Sequence, residues 1–240
     1  MTHSSAPEIQ ALFNRIAPVY DELNQQLSWG LHTVWKKMAV QWAEAAPGHQ
    51  ALDICCGSGD IALLLARAVG KTGSVTGVDF APAQLAIAAE RGQARYPDHN
   101  LTWQAGDALD LPCPDAHFDC ATMGYGLRNV TDIPQALREL ERVLKPSAKA
   151  AILDFHRPTQ PWVQQFQAWY LDRVVVPTAE QFDLKADYAY IGPTVDRFPQ
   201  GPEQIELARQ AGFAQAQHYP LLGGMMGILV VQKAAANSVV

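Results

Sequence analysis

Between Gln50 and Asp154 apolar residues fall into short unbroken runs, separated by segments in which they recur every three to four positions. The runs are Ala51–Cys55, Ser74–Asp79, Leu101–Ala105, Phe118–Met123 and Ala148–Asp154. Their continuity predicts strands buried on both faces. The intervening segments Asp60–Val69, Pro82–Arg95 and Asp132–Leu144 carry helical spacing, and Pro82 and Pro134 sit where a helix start tolerates a missing N–H. This alternation predicts an α/β fold with a doubly wound parallel sheet. Further on, a Pro- and aromatic-rich stretch is followed by a helix at Pro202–Ala211. Two strands, Ala214–Tyr219 and Gly227–Gln232, then flank Gly223-Gly224 as a C-terminal antiparallel hairpin, which makes seven strands. The expected organisation is a single domain over 1–240, with a helical cap (1–48), a nucleotide-binding core (49–156), a helical lid (157–202) and a closing helix and hairpin (203–240).

A net charge of −6 argues against nucleic acid, which demands a clustered basic face to displace counterions. The four cysteines form no C-x-x-C and the seven histidines show no zinc-ligand spacing, so a reducing, cytoplasmic, metal-free protein is expected. Residues 1–8 lack the pattern of a signal peptide, and no apolar stretch is long enough to span a bilayer.

The chemistry is concentrated after the predicted strands. Asp53-Ile54-Cys55-Cys56-Gly57-Ser58-Gly59-Asp60 joins the first strand to the first helix, with glycines where a backbone must turn sharply beside a ligand. Asp79, with Phe80 beside it, ends the second strand at the distance where a carboxylate meets a ribose diol. The spacing of Gly57, Gly59 and Ala62 also fits a dinucleotide loop, so a nicotinamide cofactor and S-adenosylmethionine are both open. Three features favour S-adenosylmethionine. Asp60 at a helix N-terminus would repel a pyrophosphate. Asp53 suits a cationic ammonium and sulfonium, and Gly106-Asp107-Ala108 offers a carboxylate and an amide to an adenine edge. The plain alternative is that Asp53 and Asp60 cap helices and Gly106-Asp107 is a turn. Cys55-Cys56 reads as packing.

Gly126-Leu127-Arg128-Asn129-Val130-Thr131-Asp132 follows the fourth strand and places a permanent cation near the expected reactive end of the cofactor. This segment resembles a signature of the UbiE/MenG family of ubiquinone- and menaquinone-biosynthesis C-methyltransferases, which are class I S-adenosylmethionine-dependent enzymes with a Rossmann-like sheet. So does Tyr20-Asp21-Glu22-Leu23-Asn24-Gln25-Gln26-Leu27-Ser28, with His32 and Trp35 after it. The likeness covers nearly the whole chain, and Cys55-Cys56-Gly57-Ser58-Gly59 is similar to the cyanobacterial members, which methylate 2-phytyl-1,4-naphthoquinol. Departures are Leu23 where methionine is usual, Ser147-Ala148 for Gly-Gly, and Asp154-Phe155-His156 for Glu-x-Ser. The last of these bears on substrate choice.

The resemblance implies methyl transfer from S-adenosylmethionine, leaving S-adenosylhomocysteine, to a ring carbon of a reduced prenylated naphthoquinol. Cofactor contacts fall on Tyr20, Ser58, Asp79, Asp107, Ala108 and Gly124, beside the loop residues Asp53, Gly57, Gly59 and Phe80. Arg128, with Asn129, is expected to be catalytic. A guanidinium about 4 Å from a phenolate is worth about 4 kcal/mol at an effective dielectric near 20, or about three pKa units, so Arg128 acts as an electrostatic clamp and not as a base. The alternative is an Arg128–Asp132 pair at helical spacing. Asp21, His32 and His156 are candidate proton acceptors. Trp162, Phe166, Trp169, Tyr170 and Val174 share a predicted helix face that shelters the prenyl tail and touches the membrane surface transiently, or else simply packs into the core. Tyr188 and Tyr190 line the same wall. Rival readings are a benzoquinol methyltransferase, a nicotinamide-dependent dehydrogenase and a non-catalytic binding protein. Monomer and homodimer are both compatible with the sequence.

Overall fold

The computed structural model describes residues 14–15, 30–180 and 191–236. Its centre is a seven-stranded sheet in the order β3-β2-β1-β4-β5-β7-β6. The strands are β1 (Gln50–Ile54), β2 (Ser74–Asp79), β3 (Asn100–Ala105), β4 (Phe118–Gly124), β5 (Leu144–Phe155), β6 (Gln215–Leu221) and β7 (Met226–Gln232). The first five run parallel, and β7 lies antiparallel between β5 and β6. The hairpin expected from Gly223-Gly224 is present, and both glycines adopt the left-handed conformation that closes it.

The helices are α1 (Leu31–Trp42), α2 (Asp60–Val69), α3 (Pro82–Arg95), α4 (Ile133–Val143), α5 (Pro161–Tyr170), α6 (Val176–Glu180), α7 (Ile191–Arg197) and α8 (Gly201–Gln210). Proline occupies the first turn of α3, α4, α5 and α8, where its fixed φ suits helix entry. Asp132 caps α4 by accepting from the Gln135 amide at 2.9 Å.

Two apolar layers cover the sheet. One joins α4 and α8 to the strands through Leu137, Leu140, Ala208 and Phe213. The other joins α1 and α2 through Ala39, Val40, Ile61 and Leu65. Burying a side chain such as Val40 contributes about 1.5–3 kcal/mol of transfer free energy, so α1 is held by the stripe of Ala39 and Val40 and not by local propensity. That docking brings a residue of α1, Lys36, to the C-terminal edge of the sheet. Among the described residues, no helix is long and apolar enough to cross a membrane.

Candidate active site

Strand order reverses between β1 and β4, where open α/β sheets leave a crevice for ligands. The loops after β1, β2, β3 and β4, together with Lys36, line a cavity of about 1030 Å³ counted to its open mouth. Asp53, Gly57, Ser58, Asp79, Phe80, Asp107, Ala108, Gly124 and Asn129 all reach it. The loops singled out from the sequence therefore meet in one cavity. Gly59 is a correction: it does not line the cavity. Its φ is 88°, and a Cβ there would stand 3.0 Å from Trp103 and 3.1 Å from Ala88. Its role is to turn the chain into α2 and let the helix pack closely.

Asp53 is wholly buried at the end of β1. Thr122 on β4 donates its hydroxyl to Oδ1 at 2.8 Å, while Oδ2 is buried with no hydrogen-bond partner among the described residues. Burial pushes its carboxyl up to about 7, against the Thr122 hydrogen bond, the Ala62 amide and the charge of Lys36. An acid held this way suits an incoming cationic donor. Asp79 accepts from the Gly57 amide at 2.8 Å and the Ala81 amide at 2.9 Å, one on each oxygen. Burial raises its pKa and these amides oppose the rise. With the Phe80 amide also acting on it, the carboxylate keeps acceptor capacity for a ligand hydroxyl. Asp107 accepts from the Leu109 amide at 3.0 Å, which shapes the loop that presents Ala108.

Asp60 departs from expectation. Lys36 Nζ donates to it at 2.6 Å and Arg91 Nη2 at 2.5 Å. Burial alone would raise its pKa, but the charges of Lys36 and Arg91 outweigh burial and hold it below the ordinary value. The start of α2 is therefore not a bare negative charge, and the repulsion argued against a pyrophosphate does not hold. Neither Lys36 nor Thr122 was found from sequence. Lys36 lies one helical turn after His32 and next to Trp35, and only tertiary docking takes it to the cavity.

Arg128 is placed differently from the free cation expected. It is 5% exposed, lies outside the residues lining the cavity, and donates from Nη1 to Asp154 Oδ1 and to the Tyr125 carbonyl, both at 2.8 Å. Its amide donates to Asp154 Oδ2 at 3.0 Å. A guanidinium already matched to a buried carboxylate has far less charge to offer a phenolate than the free cation assumed from sequence. The Arg128–Asp132 alternative fails as well, because Leu127–Asn129 is a single 3₁₀ turn and Asp132 caps α4. Asn129, by contrast, reaches the cavity. Its Nδ2 donates to the Tyr125 carbonyl at 3.1 Å, and its buried Oδ1 has no partner among the described residues.

The remaining candidates separate cleanly. Tyr20, Asp21, Tyr188 and Tyr190 lie outside the described residues. His32 is buried on α1. His156 is also buried: Nδ1 faces the Asp154 carbonyl at 3.0 Å, and Nε2 faces Gln204 at 2.8 Å and His218 at 2.9 Å. Burial pushes the Cys55 and Cys56 thiols up, in keeping with packing. On α5 the expected aromatic face is exposed, with Trp162 at 72%, Phe166 at 47% and Trp169 at 54%. Val163, and Val175 in the π-helical turn after α5, are buried instead, so core packing is not what that aromatic face does.

Comparison with known proteins places this geometry. The model of the ubiE/COQ5 methyltransferase family matches residues 1–233. The chain belongs to that family. It is thus a methyltransferase. A protein of Nostoc punctiforme named 2-phytyl-1,4-naphtoquinone methyltransferase is 62% identical over 94% of this chain and 98% of its own length. A protein of the same name from Trichormus variabilis is 59% identical over 94% of this chain and 99% of its own. Among solved structures, an S-adenosylmethionine-dependent methyltransferase of Thermotoga maritima superposes with a TM-score of 0.65 at 20% identity, covering 93% of this chain and 98% of its own. At that identity the likeness shows the fold.

Proposed function

We propose that this methyltransferase transfers a methyl group from S-adenosylmethionine to a ring carbon of reduced 2-phytyl-1,4-naphthoquinol. The reading is carried by the extent of the likeness to relatives named for that substrate, 59–62% identity over 94% of the chain. The cavity supports it. The unsatisfied buried oxygen of Asp53 fits a cationic group, and the remaining acceptor capacity of Asp79 fits a ribose diol. When bound, S-adenosylmethionine supplies an electrophilic methyl group and departs as S-adenosylhomocysteine. The chain's own residues orient the acceptor. Asn129 Oδ1 accepts a hydrogen bond from a quinol hydroxyl and turns the electron-rich ring toward the methyl. Arg128 and Asp154 hold the Gly124–Asn129 loop in the shape that presents Asn129, so Arg128 is a positioning residue. The ring carbon gains the methyl, the sulfonium leaves as the neutral thioether, and the ring proton passes to water to restore aromaticity; only a quinol, not a quinone, has the electrons for this.

The α5 helix contains no charged residue and exposes three aromatic side chains. This face meets the prenyl tail and the membrane surface in which such a substrate is dissolved. The test uses methyl-labelled S-adenosylmethionine with reduced 2-phytyl-1,4-naphthoquinol, its oxidised form, and a reduced polyprenyl benzoquinol. Label is expected on carbon of the reduced naphthoquinol. Equal labelling of the benzoquinol would move the substrate class, and absence of label in both quinols would refute the function. A tail-free naphthoquinol should show a raised KM, and an unchanged KM removes the role given to α5.

A further inference from the structure

The cationic cluster at the start of α2 has no place in the reading above. Lys36 and Arg91 both bind the single carboxylate of Asp60, so two cations share one anion at that end of the cavity. Lys36 is 5% exposed, lines the cavity, and lies 5.9 Å from the centre of the Tyr125 ring, which lines it too. A buried ammonium costs several kcal/mol unless compensated, and half a carboxylate is thin compensation. The adjoining N-terminus of α2, a ten-residue helix, adds positive potential at the same point. Asp53, with its unpartnered buried oxygen, lines the same cavity. A cation-seeking and an anion-seeking group thus share one cavity, an arrangement complementary to a zwitterion.

We infer that Lys36 binds the carboxylate of the amino-acid moiety of the cofactor, opposite Asp53 at its ammonium, and so makes α1 part of the cofactor site. A dinucleotide would meet Lys36 with its phosphates but would leave Asp53 facing an anion. The zwitterion satisfies both groups. The inference rests on the cofactor reading above, and the experiment separates the two.

Dissociation constants are measured by calorimetry for S-adenosylhomocysteine and for its decarboxylated analogue, which keeps the amine and the nucleoside. In the wild type the carboxylate-bearing ligand should bind more tightly. Lys36→Met should weaken S-adenosylhomocysteine by about 10- to 100-fold, the range of a charge-assisted hydrogen bond, and leave the decarboxylated analogue within about twofold. Equal weakening of both ligands, or of neither, overturns the role of Lys36. Failure of the wild type to bind either ligand overturns the cofactor reading and this inference with it. Asp60→Asn is the second variant, because it removes the charge that competes for Lys36. It should widen the preference for S-adenosylhomocysteine over its analogue, and an unchanged or narrower preference overturns the inference even where Lys36→Met does not fold.

Discussion

Two buried carboxylates end the strands on either side of β4, and they live in opposite electrostatic worlds. Asp154, on β5, has both oxygens engaged and a cation beside it: Oδ1 accepts from Arg128 Nη1 and the Phe155 amide, both at 2.8 Å, and Oδ2 accepts from the Arg128 amide. Asp53, on β1, has one hydroxyl on Oδ1 and nothing on Oδ2 among the described residues. Both side chains are equally removed from water. The difference teaches that burial alone does not mark a binding group. A carboxylate paired with a buried cation is an anchor, and one left with a bare oxygen by the fold waits for a ligand.

The widest separation between them should come from deleting the anchor. Asp154→Ala strands the buried Arg128 cation and should cost about 3–5 kcal/mol of stability, read from a urea midpoint. Replacing both partners, as Arg128→Met with Asp154→Leu, should recover most of that loss. If the double variant is no more stable than the single, the pair is not the anchor described here.

Asp53 should respond in the other direction. Its folded-state pKa, about 7, lies above the ordinary value of 3.8, so its contribution to stability is complete below about pH 4 and is lost as pH rises through 7. At 1.36 kcal/mol per unit the loss is at most about 4 kcal/mol, and about 2 kcal/mol with water in the open cavity. Asp53→Asn should therefore be more stable than the wild type at pH 8 without ligand, and equal to it near pH 4. It should also bind S-adenosylhomocysteine more weakly. A variant that loses stability at pH 8 would show that Asp53 is an anchor after all.

The smallest effect belongs to the histidines behind Asp154. His156 carries its proton on Nδ1 to meet the Asp154 carbonyl, so the single lone pair of its Nε2 is shared between Gln204 and His218. Burial, then the neighbouring His156, lower the pKa of His218 to about 4. The unfolded chain takes up that proton first, so stability is lost as pH falls from about 6.5 to 4. His218 is only half-buried, and His218→Gln should flatten this slope by less than about 1 kcal/mol at pH 5. An unchanged acid slope would detach this pair from the fold's pH response.

The strands and helices of the core were legible because their signals are local. Asp60–Val69 and Pro82–Arg95 fall where periodicity and helix-start proline place them, and β2 spans Ser74–Asp79 as the apolar run requires. Most of the cofactor loops were legible for the same reason, since glycine spacing and strand-end carboxylates travel together along the chain. The charges were not. Asp60 reads as a bare anion until Lys36 arrives from 24 residues upstream, and Arg128 reads as a free cation until Asp154 arrives from 26 residues downstream. The face of α5 was left open for a different reason: Trp162, Phe166 and Trp169 share a helix face, but periodicity does not say whether that face points inward.

Sequence by itself determined the order of elements, the parallel core with its closing hairpin, the family, and which loops meet at the cavity. These depend on propensity, period and short-range spacing, which are written within a dozen residues. Tertiary structure alone decided which charged groups are satisfied. Coulomb attraction and hydrogen bonding act over a few ångströms in space, and sequence distance does not encode which partners arrive. The same docking that buried Arg128 against Asp154 left an oxygen of Asp53 without a partner in the cavity. That division between filled and unfilled polar groups is what distinguishes the scaffold of this methyltransferase from its site.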